Sequence, residues 1–375
     1  MGARWRTARA VVLAAALAAG ARAGASVQVE PIARLSLEGG YDSNVLYDGR
    51  GNEAGRVSPG IGLHLRDHTW NLLLDAGGDL LMYPRIGAPS SSTVWNQRLK
   101  AVAAARLTER TTLNLDAKGT YAFDQIGIAR EGIFRPDESE ALLVRTKGRL
   151  AWRYDHLWTV AGTFDERLAR FSDGTGAASH TPGVEVARRL DHRSEVGSTY
   201  RLDVFQIFGP ASGLTYAHEA LGIYRYRLTR RLTFEATAGP VVWSTGGTTW
   251  VIPQAGAQLF GEWRRGAVRL SVGHGVGLGI TATPGLFDSV EGGVTMRLGT
   301  SWEVHADGGL WRSGAPPWGS NSVLGYGVEG ELAYRITREL KVGVAVSRFA
   351  RADLTTNRFD RDIVGLRMAW ELRHR

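Results

Sequence analysis

Nine histidines are the first residues to question, because imidazole changes charge near neutral pH and serves as base or metal ligand. They are His64, His68, His156, His180, His192, His218, His274, His305 and His374, scattered along the chain. No His-Glu-x-x-His run, no paired cysteine and no metal-ligand cluster accompanies them. Two local groupings remain: His218 beside Glu219, and His305 between Glu303 and Asp307. A Ser-His-acid site needs its members to meet only in space, but no nucleophile is marked by a local motif. These side chains read as wall or rim residues, so no catalytic, cofactor-binding or metal set is assigned. Gly273 to Gly279 alternates glycine with His274, Val276 and Leu278. It lacks the lysine and strand-to-helix context of a phosphate loop and reads as a smooth strip of sheet.

The charged residues carry more pattern. Arg98, Lys100, Arg106, Lys118, Arg145, Lys147, Arg149 and Arg153 fall at alternate positions of neighbouring segments. Glu291, Glu303, Asp307, Glu329 and Glu331 do the same late in the chain. Alternate residues of a strand share a face. In a closed sheet the two stripes would lie roughly opposite, and their field would orient a polar solute. Neutralisation of each stripe by neighbours is the equal alternative. The residues put forward as lining a path are Arg98, Lys100, Lys118, Arg145, Lys147, Arg149, Glu303, Asp307, Glu329 and Glu331.

The segment Leu142 to Leu168 shows what positions them. Leu142, Val144, Thr146, Gly148, Leu150 and Trp152 form one row, against Leu143, Arg145, Lys147, Arg149, Ala151 and Arg153. After Tyr154-Asp155-His156, the row Trp158, Val160, Gly162 and Phe164 continues it. A period of two over a dozen residues is a long strand with one dry and one wet face, suited to a tilted bilayer crossing. Eight polar turns recur: 66–68, 108–110, 155–156, 191–193, 229–231, 264–266, 299–301 and 337–339. Nine longer connections alternate with them, at 48–53, 84–93, 124–139, 172–180, 209–214, 244–249, 281–289, 313–322 and 351–361. Seventeen connections predict eighteen strands, an all-β, antiparallel, up-and-down transmembrane barrel with short turns in the periplasm and long loops outside.

Composition agrees. The chain has 375 residues, 48 of them glycine, and no apolar run of helical-span length. A mean hydropathy of −0.16 is compatible with a barrel, whose wall is only half apolar. Arg4, Arg6 and Arg9 precede the apolar run Ala10 to Ala19, and Ala23-Gly24-Ala25 offers a cleavage site before Ser26. Residues 1–25 therefore read as a signal peptide and 26–375 as the barrel. Removing Arg4, Arg6, Arg9 and Arg22 lowers the net charge from +8 to +4, which argues against a nucleic-acid partner. With no cysteine, stability rests on the hydrogen-bonded ladder. Trp70, Trp152, Trp158, Trp263 and Trp302 flank short turns, while Tyr83, Trp95, Phe123, Trp243, Trp250 and Trp311 lie near long loops. They predict two interfacial belts.

Two stretches carry a resemblance. Gly365, Met368 and Trp370 in the last strand resemble the carboxy-terminal signal recognised by the barrel-assembly machinery. Ile363 and the ending Arg373-His374-Arg375 depart from that signal. Gly39-Gly40-Tyr41-Asp42-Ser43-Asn44-Val45 resembles an early strand of the β-barrel porin families found with exopolysaccharide gene clusters. The eighteen-strand scheme is similar to Wzp-type barrels. That resemblance implies a monomer in the cell outer membrane, bathed by outer-membrane lipid. It would pass polysaccharide as the last part of a Wzx/Wzy-type system, alongside a periplasmic polysaccharide-export protein. No cofactor or enzyme activity is implied. The alternative is a general diffusion porin for small solutes.

Overall fold

The computed structural model describes residues 27–43, 51–83, 93–123, 140–210, 212–279, 284–314, 322–353 and 358–373. The expected signal peptide and the connection 124–139 lie outside them. The strands are β1 (Gln28–Asp42), β2 (Asn52–Arg66), β3 (Trp70–Met82), β4 (Thr93–Arg106), β5 (Thr111–Ala122) and β6 (Ala141–Arg153). There follow β7 (Trp158–Phe171), β8 (Gly176–Arg189), β9 (Ser194–Phe208), β10 (Gly213–Arg227), β11 (Leu232–Thr245) and β12 (Thr248–Trp263). The last are β13 (Gly266–Leu278), β14 (Pro284–Leu298), β15 (Trp302–Gly314), β16 (Val323–Arg335), β17 (Leu340–Asp353) and β18 (Arg358–Arg373). Each pairs antiparallel with its sequence neighbours, and β1 also pairs with β18. The result is a closed eighteen-stranded barrel.

The strands form because their residues alternate. On β10, Thr215, Ala217, Glu219, Leu221 and Ile223 are buried while Tyr216, His218, Ala220, Gly222 and Tyr224 are exposed. Register carries this alternation round the ring. Leu366 pairs with Val344 on one side and Gly39 on the other. The exposed rows are apolar: Val342, Val344, Val346, Val364, Leu366 and Met368 form one panel. At their short-turn end lie Trp152, Trp158, Trp302, Tyr334 and Trp370, all exposed. Trp302 meets Tyr334 edge-on at 5.0 Å. At the other end the same outer rows turn polar, with Glu166–His180, His274–Asp288 and Arg348–Asp362 pairs. Trp158 to Glu166 is eight residues, roughly 20 Å along the normal for a strand tilted by about 40°. That matches the apolar band of an outer-membrane barrel, about 25 Å tall.

The eight short turns sit where the sequence places them. Asp155 Oδ1 accepts from the Leu157 and Trp158 N–H groups, each at 2.7 Å. Asp191 does the same for Arg193 and Ser194. The other end needs correction. Of the connections read as long, that after β7 is only 172–175, that after β9 only 209–212, and that after β11 only Gly246-Gly247. Those two glycines take φ of +55° and +80°, the conformation a two-residue hairpin turn demands. Polar residues around them read as loop because strands that rise past the membrane can be polar on both faces. The loop-side belt is also corrected. Trp95 and Phe123 face outward, but Tyr83, Trp243 and Trp311 are buried inside the ring.

The barrel wall splits at one place. The β12–β13 ladder stops at Ala255↔His274, although β12 runs back to Thr248 and β13 on to Leu278. Beyond the split, Val276, Leu278 and Leu286 belong to the outward row by register with His274 and Asp288. Yet they pack on Phe205, Ala217, Val241, Trp243 and Ile252, the inward row of β9 to β12. Their neighbour Phe287, on the inward row, packs toward Trp311 of the adjacent β15 and Phe349 of β17. The upper β13–β14 hairpin therefore parts from β12 and lays its outward row against the inner face of β9–β12, while β14 stays paired with β15. It forms a wedge that narrows the loop-side mouth beside β9–β12.

Candidate translocation path

Below the wedge lies a cavity of about 680 Å³, walled by β4 to β13. Its charged lining includes Lys147, Arg149, Arg201 and Arg225 against Asp116, Asp165, Glu185 and Glu235. Thr163, Thr181, Thr199, Thr237 and Ser271 supply hydroxyls between them. These residues share the inward row because contacts reach across two strands there. Arg149 of β6 meets Glu185 of β8 at 3.0 Å, and Glu185 meets Arg225 of β10 at 2.7 Å. Side chains two strands apart converge only on a concave face.

The register puts all ten residues proposed from the sequence on that face, but it does not sort them by sign. Asp165 stands 3.3 Å from Lys147, 3.7 Å from Arg145 and 3.5 Å from Arg167. Arg225 also contacts Glu195 at 2.8 Å and Glu235. Arg98 pairs with Asp79 at 3.0 Å, and Lys118 lies between Lys100 and Arg145 in the ladder. On the opposite wall Glu303 contacts Arg297 at 3.2 Å, Lys341 at 3.5 Å and Arg335. Glu331 binds Lys341 and Arg367, and Arg367 reaches Glu38 at 2.8 Å. Asp307 stands 3.9 Å from His305 and is opposite Glu329 in the ladder. Each wall thus carries both signs.

Several lining residues were not singled out from the sequence. Glu185, Arg225, Arg201 and Glu235 sit on alternate positions of β8 to β11, so periodicity alone would have placed them inward. What it lacked was the reach to a strand two away. The candidate grouping of His218 with Glu219 is corrected by the same periodicity. His218 faces outward, bonded to Tyr200 at 2.8 Å, while Glu219 faces inward and binds Arg201 at 2.6 Å. His305 instead pairs with Thr295 at 3.0 Å on the inner face.

The Tyr41-Asp42-Ser43 motif has a defined place at the seam. Arg361 of β18 is fully buried and donates from Nε to Asp42 Oδ1 at 2.9 Å. Its Nη2 reaches the Tyr83 hydroxyl at 3.3 Å. Ser43 Oγ accepts from the Asp362 N–H at 2.8 Å. A Cβ on Gly40 would meet the Val364 carbonyl, so glycine lets the first and last strands close up.

A closed ring with an apolar outer band, a polar interior and short turns at one end has one home. The chain is an outer-membrane β-barrel. No family model matches it, and no curated protein matches it either. Solved structures do. OpdQ of Pseudomonas aeruginosa matches at 10% identity and a TM-score of 0.43, covering 92% of this chain and 98% of that one. A BenF-like porin from Pseudomonas fluorescens Pf-5 matches at 12% and 0.46, covering 93% and 99%. OccK2 (OpdF) of Pseudomonas aeruginosa, solved with glucuronate, matches at 12% and 0.45, covering 93% and 98%. The expectation of polysaccharide export is therefore corrected. One solved likeness is named a porin and another was solved with glucuronate. In this chain a wedge narrows the loop-side mouth, and the cations Arg145, Lys147 and Arg149 assigned to a polymer are engaged by Asp165 and Glu185.

Proposed function

We propose that the protein is a constricted diffusion channel that admits small polar solutes across the outer membrane. The observation that carries this reading is the cavity of about 680 Å³ beneath the wedge, with its alternating cations and carboxylates. That volume is within the range of small-molecule sites, roughly 300–1,000 Å³. Paired charges offer passing solutes both donors and acceptors without a single deep well, and conduction requires release as well as entry. The barrel acts as a channel, and its residues position solutes rather than transform them. Purified barrel reconstituted into planar bilayers should give discrete conductance steps. A correctly folded, heat-modifiable barrel that never conducts would overturn the proposal.

A further inference from the structure

At the short-turn end of the barrel the exposed arginines are densest between β8 and β13, with Arg106, Arg110 and Arg153 at the ends of β4 to β6. From β14 round to β3 the strand-end arginines are paired, Arg297 and Arg335 with Glu303, Arg373 with Glu371 and Arg66 with Glu30, and Arg338 at a turn tip stands without an ion pair among the described residues. From β8 to β13 the arginines at this end are not paired. The β8–β9 turn carries Arg188, Arg189 and Arg193. The β10–β11 turn carries Arg227, Arg230 and Arg231, and the β12–β13 turn carries Arg264 and Arg265. All eight are exposed, and none forms an ion pair among the described residues. The acids nearby are Asp191, Glu195 and Glu262. Asp191 is engaged by the Arg193 and Ser194 N–H groups, and Glu195 by Arg225.

This arc lies at the level of the aromatic belt. Arg188 stacks its guanidinium 5.5 Å from the Trp158 ring centre, and Tyr224 stacks on Tyr226 beside the next turn. Aromatic belts mark lipid headgroups. The basic groups are arginines throughout, whose planar fork matches phosphate oxygens in a bidentate way. We propose that this arc binds the phosphodiester headgroups of anionic phospholipid in the periplasmic leaflet. It would fix the barrel's rotational preference toward an anionic lipid annulus on one side. The chemistry favours lipid over a protein partner because Arg188 is held against the belt rather than projected past it.

The test uses the full barrel in vesicles of phosphatidylcholine alone or with a minor fraction of phosphatidylglycerol. Lipid retained after detergent extraction is quantified by mass spectrometry. The wild-type barrel should retain phosphatidylglycerol several-fold above its share of the bilayer. Arg188→Gln combined with Arg193→Gln, Arg230→Gln, Arg231→Gln, Arg264→Gln and Arg265→Gln should abolish that enrichment. Arg66→Gln with Arg373→Gln, on the paired arc, should leave it intact. Should the sixfold variant fail to fold, Arg193→Gln, Arg230→Gln and Arg264→Gln at the exposed turn tips should halve the enrichment. No enrichment in the wild type, or equal loss in the paired-arc control, overturns the proposal. So does an acidic periplasmic protein bound through the arc while lipid enrichment is unaffected by its mutation. Bilayer conductance, read in parallel, should not change in any of these variants.

Discussion

Asp42 shows how one residue gains meaning only from a partner more than three hundred positions away. In sequence it is a polar residue in a turn-like motif; in the barrel its carboxylate meets the buried guanidinium of Arg361 across the closing seam. Removing one member of a buried pair leaves the other uncompensated and costs about 3–5 kcal/mol. Asp42→Ala should therefore lower the urea midpoint of unfolding markedly, and Arg361→Met with Asp42→Leu should recover much of the loss. A lack of recovery would mean that other groups near Tyr83 depend on the pair. Asp155 makes a smaller, pH-dependent contribution. Hydrogen bonds from the Trp158 and Leu157 N–H groups hold its carboxyl below the ordinary carboxylate range. A depressed pKa stabilises the folded turn above the unfolded value, near pH 4. That contribution is lost as pH falls through the folded value. Asp155→Asn should flatten this acid limb, seen as a smaller difference between urea midpoints at mildly and strongly acidic pH.

At the scale of elements, the strands were legible because their period of two is long and repeated. Strand number, turn positions on the periplasmic side and the facing of Leu150, Trp152 and Leu366 all followed from it. Three kinds of information did not. Strands that rise above the membrane lose the apolar row that marks them, so Ser172 to His180 read as loop although His180 lies in β8. Ion pairs such as Arg149 with Glu185 join strands two apart, and spacing within a strand says nothing of curvature. The wedge was hidden because Val276, Leu278 and Leu286 have the apolar character of lipid-facing residues while packing inward. Depth across the membrane also comes only from the assembled sheet. Leu366 lies midway between Trp370 and Asp362 on β18, whereas Leu150 is one row above the Trp152 belt. An arginine on the lipid face costs about 2–4 kcal/mol at the midplane but only about 0–1 near the interface. Leu366→Arg should thus impair folding yield strongly and Leu150→Arg weakly, measured as the heat-modifiable fraction after refolding. Equal effects would put the bilayer at a different height on the barrel.

For the whole molecule, the two controls on passage are separable. On the proposed channel reading, the ladder of charges would govern which ions pass. Glu185 is shared by Arg149 and Arg225, so Glu185→Gln removes one carboxylate and frees Arg149 toward the cavity, while Glu195 and Glu235 still hold Arg225. The reversal potential under a salt gradient should move toward anion selectivity, with conductance little changed. The wedge governs how much passes. It narrows the loop-side mouth because Val276, Leu278 and Leu286 pack on the inner face of β9–β12. The ring does not need it for closure, since β14 remains paired with β15 up to Leu286↔Gly314 and β12 with β13 up to Ala255↔His274. Excising 276–286 and joining β13 to β14 through an Asn-Gly turn should therefore leave an assembled barrel. Its cost is exposure of Trp243 and Ile252 to the lumen. Unitary conductance should rise several-fold and larger solutes should enter proteoliposomes, while Glu185→Gln alone should not admit them. An excised barrel that folds and conducts at the original level would place the limiting constriction elsewhere in the lumen.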